Sequence, residues 1–210
     1  MITATAALDR LREGNRRFAS EQQRERRPGK SRRDELVEGQ APFAIILGCS
    51  DSRVPAEIVF DQGLGDLFVI RVAGNVVAPS QIGSVEFAAE RFGTRLVVVL
   101  GHSLCGAVVA TLEELERPTE MRSPNLRSIV DRIRPAVEGL LEVGHGHDKD
   151  ELVHHAVRAN IRASVDHLRH GSAILERLIE GDGLLVVGAE YSLEIGVVDF
   201  FDPVPAAATR

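Results

Sequence analysis

The stretch "FAIILGCSDSRVPAE" (43–57) joins a short apolar run to a turn that is rich in reactive side chains. An apolar run without polar alternation is typical of a strand that is covered on both faces of a parallel sheet. Chains that leave such a strand usually turn with Gly, Asn or Pro, whereas this turn places Cys49, Asp51 and Arg53 at alternate positions. The spacing therefore indicates a functional turn at the carboxyl end of a buried strand.

The same design returns in "LVVVLGHSLCGAV" (96–108), where an apolar run and a glycine are followed by His102 and Cys105. Two more runs are short, apolar and rich in β-branched residues, like the runs that precede the two reactive turns. The four predicted parallel strands cover 43–48, 66–72, 95–101 and 184–191. Both reactive turns begin at the carboxyl ends of their strands, where ligands gather in parallel sheets. If the first and third strands are neighbours, the two turns therefore face each other across one crevice.

Predicted helices separate the strands, and this alternation predicts an α/β fold with a mostly parallel central sheet flanked by helices. The run 196–201 is expected to add an antiparallel edge strand beside the fourth strand. An amphipathic pattern near the start predicts an N-terminal helix, which we expect to reach across to a second copy of the chain. We expect one domain over 1–210, in which 1–40 form a helical arm and a linker with a short helix at "DELVE". The remaining helices are predicted at 55–62, 80–93, 105–116, 125–142 and 150–180.

Composition narrows the classes of partner. The net charge is −6, with 25 Lys and Arg against 31 Asp and Glu, which is not typical of a nucleic-acid-binding protein. We interpret the basic run "RERRPGKSRR" (24–33) as a solvated surface loop. No apolar run approaches the length that spans a bilayer, and the charged N-terminus lacks the apolar core of a signal peptide. The expectation is a cytoplasmic protein without a nucleic-acid or membrane partner.

The two turns carry residue types that bind zinc. His102-x-x-Cys105 is weak evidence alone, but Cys49 on a facing turn would complete a site of two thiolates and one imidazole, which typically leaves a fourth position for water. Asp51 leaves two alternatives open. It can supply the fourth ligand and close the site, or Arg53 can clamp it with two hydrogen bonds and hold it off the metal.

Three motifs, "CSDSRVPAE", "DLFVIRVAGN" and "GHSLCGAV", resemble the β-class carbonic anhydrases, in particular plant-type-like bacterial members. The likeness extends to "ALDRLREGNRRF" near the start and to "VVGAEYSLEIGVVDFF" near the end. The resemblance implies a zinc ion bound by Cys49, His102 and Cys105, with Asp51 and Arg53 as a catalytic dyad. It also implies reversible hydration of carbon dioxide to bicarbonate and a proton, and a homodimer as the smallest functional unit, often paired into larger assemblies.

Four more residues match substrate positions of that family. Gln40 matches a glutamine that hydrogen-bonds the substrate, and Phe68 and Ala73 match the lining of a small apolar pocket for carbon dioxide. Phe87 stands where many plant-type members have tyrosine.

Other functions fit part of this pattern. An enzyme of the same fold that hydrolyses COS or CS₂ would share the zinc site and differ in its access channel. A non-catalytic, zinc-dependent binding or regulatory protein, or a structural zinc domain with Asp51 permanently ligated, would keep the ligands alone. The Asp51–Arg53 pair and Gln40 favour catalysis, because a binding protein has no need of them.

Overall fold

The structure is a computed structural model that describes residues 2–24, 29–117, 123–143 and 148–201. Its core is one five-stranded sheet. The strands are β1 (Ala44–Gly48), β2 (Leu67–Arg71), β3 (Leu96–His102), β4 (Leu185–Tyr191) and β5 (Val198–Phe200). They lie in the order β2-β1-β3-β4-β5, with the first four parallel and β5 antiparallel to β4. The predicted fold class is confirmed, and so is the assumption that the first and third strands are neighbours.

Helices cover both faces of the sheet. They are α1 (Ala4–Ala19), α2 (Lys30–Val37), α3 (Ala56–Val59), α4 (Pro79–Arg91), α5 (Gly106–Glu116), α6 (Pro124–Val143), α7 (Lys149–His170) and α8 (Ala173–Gly181). A one-turn 3₁₀ helix, Ala73–Asn75, follows β2. Within the described ranges, no helix combines the length and the apolar character needed to cross a bilayer.

Two sequence predictions about helices are wrong in detail. The single helix over 150–180 is two helices, because Ser172 caps a new one: its Oγ accepts a hydrogen bond from the Leu175 N–H at 3.2 Å. The basic run 24–33 is not all loop, since α2 begins at Lys30. Residues 25–28 of that run lie outside the described part of the chain.

The strands divide their side chains between two apolar cores, as the two-residue period of a strand requires. Ile45 and Leu47 face the core that α4 to α8 cover. Ala44 and Ile46 face the core that α1 and α3 cover. Every residue of β1, β3 and β4 is buried. The expectation that all four parallel strands are covered on both faces is wrong for β2, which is partly exposed because it lies at the edge of the sheet.

Helix α1 packs against its own chain, and two adjacent residues fix it there. The buried Asn15 donates from Nδ2 to the Val59 and Gly196 carbonyls at 3.2 and 2.9 Å, and its Oδ1 accepts from the Val198 N–H at 2.8 Å. A Cβ at Gly14 would lie 1.8 Å from a backbone oxygen of the segment after α3. The apolar face of α1 therefore completes the second core of its own chain, and its contact with a partner stays a prediction.

Candidate metal centre

The predicted ligands meet at one edge of the sheet because β1 and β3 are parallel neighbours. Cys49 directly follows β1, His102 is the last residue of β3, and Cys105 is the N-cap of α5. One donor atom from each of the three lies within 4.8 Å of the other two, and all three residues are buried. The two reactive turns therefore meet, as the sequence predicts.

The ring of His102 is oriented for a ligand at Nε2. Its Nδ1 lies 2.9 Å from the Ser103 carbonyl oxygen, and since a carbonyl only accepts, Nδ1 carries the proton and Nε2 presents a lone pair. The side chain has no exposed surface, and Nε2 has no hydrogen-bond partner among the described residues. A buried polar atom without a partner is costly, and a metal ion beside two sulfurs would satisfy it. The residues present therefore fit zinc.

The two thiols shift each other's pKa in opposite directions. A hydrogen bond from Cys105 holds the pKa of Cys49 down to about 4, with His102 and the Gly74 N–H acting in the same direction. The same bond, together with burial, raises the pKa of Cys105 far above its usual range. Burial opposes the charged form of His102, but the neighbouring Cys49 thiolate outweighs it and the pKa of His102 is raised. The pocket thus already favours one thiolate, which is the form that binds a metal.

Asp51 is held by Arg53 and not by the cluster. Arg53 donates from Nε to Oδ1 at 2.9 Å and from Nη2 to Oδ2 at 2.7 Å, and its backbone N–H also donates to Oδ1 at 2.9 Å. These bonds keep the pKa of Asp51 well below its usual range. Asp51 Oδ2 still lies only 3.9 Å from His102 Nε2. Of the two alternatives for Asp51, this arrangement is the clamped one.

Arg71 braces the turn that carries these groups. From the end of β2 it donates from Nε to the Cys49 carbonyl at 3.1 Å and from Nη2 to the Asp51 carbonyl at 2.7 Å. The guanidinium fork spans two alternate carbonyls of one turn. No pattern in the sequence indicates this contact, because its acceptors are backbone atoms 20 and 22 residues away.

Three of the four predicted substrate residues lie on or just after β2 and on the helix beside it. Phe68 of β2 and Phe87 of α4 have ring centroids 6.3 Å apart, and both rings pack against Phe92. Phe87 keeps 54% of its surface exposed. Ala73 begins the 3₁₀ turn next to Gly74, which contacts the Cys49 sulfur. The three phenylalanines form an aromatic surface beside β2, and Ala73 lies on the turn that follows this strand.

Gln40 is not brought to the cluster within one chain. It lines a surface groove together with Leu36, Val37 and Phe92, and no cluster residue is among the groove's described lining. Gln40 itself is exposed. The groove and the aromatic surface share Phe92, so the two are continuous.

The comparisons with known proteins agree with this geometry. A family model described as carbonic anhydrase matches residues 44–198, from the start of β1 into β5. "Carbonic anhydrase 2" of Mycobacterium tuberculosis (strain CDC 1551 / Oshkosh) is 40% identical over 196 residues, which are 91% of this chain and 89% of that protein.

Solved structures give the same result. The β-carbonic anhydrase CafA of Aspergillus fumigatus is 26% identical, with a TM-score of 0.74 over 94% of this chain and 90% of that one. A structure described as one of two tetrameric β-carbonic anhydrases of Sordaria macrospora shares the fold, with 24% identity and a TM-score of 0.73 over 82% of this chain and 87% of that one. The matched regions include both reactive turns.

Proposed function

Because this chain belongs to the β-class carbonic anhydrase family, we propose that Cys49, His102 and Cys105 hold the zinc with which it reversibly hydrates carbon dioxide to bicarbonate and a proton. The observation that carries the assignment is the buried, unpartnered Nε2 of His102 within 4.8 Å of two thiol sulfurs. Two thiolates and one imidazole are a donor set that suits zinc and leaves a fourth position open.

The bound zinc would supply an acidified water at neutral pH. The protein's own groups prepare for it. Cys49 and Cys105 offset the ion's two charges as thiolates. The Ser103 carbonyl fixes the ring of His102 by accepting a hydrogen bond from its Nδ1–H, and it is the kind of outer partner that orients a metal-binding imidazole.

Asp51 orients the attacking water in this proposal. Its carboxylate lies beside the ligand cluster and accepts a hydrogen bond from the water, so that a lone pair of that water faces the carbon of carbon dioxide. Arg53 holds both carboxylate oxygens, which keeps Asp51 charged and prevents it from taking the metal's fourth position. The closed alternative, with Asp51 as a ligand, competes with this state when the clamp is weakened.

Phe68, Ala73 and Phe87 would give carbon dioxide, which is apolar, a small water-poor surface beside the water. Gln40 would donate its amide to the substrate. Since Gln40 lies in a groove apart from the cluster, we assign that donation to a second copy of the chain.

The second copy would dock along β2. This strand is the edge of the sheet and is partly exposed, and the groove beside it carries Val37, which keeps 83% of its surface exposed, and the exposed Leu64. A homodimer would cover these apolar groups and bring the partner's copy of the groove to the aromatic surface. Light scattering tests it: Val37→Glu should weaken association, whereas Leu126→Glu, on an exposed residue outside the groove, should not. A monomer at micromolar concentration for the unaltered chain would contradict the homodimer.

We further propose a cytoplasmic location and a single domain over 1–210. A reducing compartment keeps both ligand thiols available to a metal, and both cysteines are free here. The packing of α1 into a core of the sheet supports treating the N-terminal arm as part of that domain.

Stopped-flow measurement of carbon dioxide hydration, with zinc content determined on the same sample, tests the function. Zinc near one ion per chain with rapid hydration is expected. Turnover of COS or CS₂ with no hydration of carbon dioxide would show that the protein is a COS or CS₂ hydrolase instead. Bound zinc with neither activity would show that the zinc has a non-catalytic role.

A further inference from the structure

The 3₁₀ turn Ala73–Asn75 contributes a backbone hydrogen-bond donor to the cluster of candidate metal ligands. The Gly74 N–H donates to Cys49 Sγ at 3.4 Å. Two successive residues of this turn are left-handed, with φ of 69° at Gly74 and 44° at Asn75. Glycine and asparagine adopt left-handed backbone more readily than other residues, so these two residues suit the turn. Asn75 Nδ2 is buried without a hydrogen-bond partner in the described chain, so support for the turn comes from other groups.

Helix α7 gives that support from 86 and 89 residues away. Asn160 donates from Nδ2 to the Gly74 carbonyl at 2.8 Å, and Ser164 donates from Oγ to the Asn75 carbonyl at 3.1 Å. They are four residues apart, so they lie on one face of the helix. Both are at least 95% buried. Burying polar groups among apolar side chains is costly unless they are bonded, and the bonds of this pair go to the turn.

We propose that Asn160 and Ser164 are positioning residues of the metal centre, which hold the turn so that the Gly74 N–H stays aimed at the Cys49 sulfur. The inference rests on the proposed ligation of zinc by Cys49. An N–H donated to the Cys49 sulfur holds that sulfur in place beside the donor atoms of His102 and Cys105. It also fixes the direction in which the sulfur lone pairs point.

Loss of an outer partner of a metal ligand typically lowers metal affinity or activity by about 10- to 100-fold. Loss of the side-chain donor of Asn160 or Ser164 should have the same effect on metal affinity. Without that hydrogen bond the turn relaxes and moves the Gly74 N–H away from the Cys49 sulfur. A merely structural role predicts a different result. In that case the variants melt at a lower temperature, but the folded molecules keep the zinc affinity and the ligand spectrum of the unaltered chain.

The experiment compares Asn160→Ala, Ser164→Ala and a control, Val165→Ala, with the unaltered protein. Val165 is buried on the same helix and has no polar side-chain atom, so its truncation weakens packing without removing a bond to the turn. Zinc affinity is measured by competition with a chromophoric chelator, well below the melting temperature of each variant. The thiolate-to-metal charge-transfer band is recorded on the cobalt(II)-substituted proteins.

We expect Asn160→Ala and Ser164→Ala each to bind zinc about 10-fold more weakly or worse and to shift the charge-transfer band, while Val165→Ala does neither. Unchanged affinity and an unchanged band in both variants would overturn the inference, as would an equal loss in Val165→Ala. Should Asn160→Ala fail to fold, Ser164→Ala decides alone. An unaltered protein that binds no zinc would overturn the proposed function first, so the two failures are distinguishable.

Discussion

Replacement of Gly74 by alanine tests how tightly the turn beside the metal cluster is packed. An added Cβ would lie 2.8 Å from Cδ1 of Ile133 and 3.0 Å from the Cβ of Ala107, and the backbone there has a φ of 69°. Ile133 is fully buried on α6. The substitution therefore adds two separate penalties, one from the backbone and one from the core.

The two penalties have known sizes. Left-handed backbone costs a residue with a Cβ about 1–2 kcal/mol, and an extra methyl group in a packed core costs about 1–3 kcal/mol. Alanine also lowers the conformational entropy of the unfolded chain, and this effect offsets about 0.4–1 kcal/mol of the loss. We expect Gly74→Ala to lower the free energy of unfolding by about 3 kcal/mol, a large share of the roughly 5–15 kcal/mol of a typical domain.

Urea unfolding of the zinc-free protein measures this, and Ile133→Val provides the matched variant because it removes Cδ1, the closest atom. The double variant should recover only part of the core penalty, because the contact with the Cβ of Ala107 remains, with a coupling of about 1–2 kcal/mol in the mutant cycle. The left-handed backbone is unaffected by Ile133, so that part of the loss should remain. A loss below about 0.5 kcal/mol for Gly74→Ala, within the ordinary scatter of surface changes, or strict additivity in the cycle, would refute the reasoning.

Three further predictions concern catalysis. Arg53→Lys should keep its zinc and lower kcat, because one ammonium does not reproduce the fork that holds both oxygens of Asp51; an unchanged kcat in stopped-flow assays would contradict the clamp. Gln40→Ala should also keep its zinc and lose about 10- to 100-fold in kcat/KM, about 1–3 kcal/mol; an unchanged value would remove Gln40 from the site. Because the pKa of Asp51 is lowered, the carboxylate remains charged as pH falls through the ordinary carboxyl range and is lost only far below it. Asp51 should therefore add no inflection near pH 4–5 to the pH–rate profile, and an inflection of Asp51 in that range would contradict the lowered pKa.

The sequence predicts the sheet and the ligands because both depend on local patterns. Buried parallel strands appear as uninterrupted apolar runs, and β1 and β3 are fully buried. The ligands are specific residue types at the ends of those runs, so Cys49, His102 and Cys105 could be grouped once the strands were taken as neighbours. That adjacency was an assumption, which the structure confirms, and the full ligand set also rested on the family resemblance.

The parts that sequence reasoning missed depend on contacts between distant segments. The break at Ser172 was missed because the helical periodicity was followed across it, although Gly171 at the end of one helix and Ser172 at the start of the next are typical cap residues. In the sequence, Asn160 and Ser164 look like any other polar residues of a helix, because their hydrogen-bond partners are backbone carbonyls of a distant turn. Gln40 lies in a surface groove, and the role proposed for it depends on a second copy of the chain.

Zinc-edge X-ray absorption of the active, purified protein tests the central claim most directly, that Cys49, His102 and Cys105 hold the catalytic zinc. The account predicts one zinc per chain with two sulfur neighbours at about 2.3 Å, one imidazole nitrogen at about 2.0–2.1 Å and one light atom more, in a sample that hydrates carbon dioxide. A spectrum without sulfur neighbours, or with more than two, in an equally active sample would contradict it.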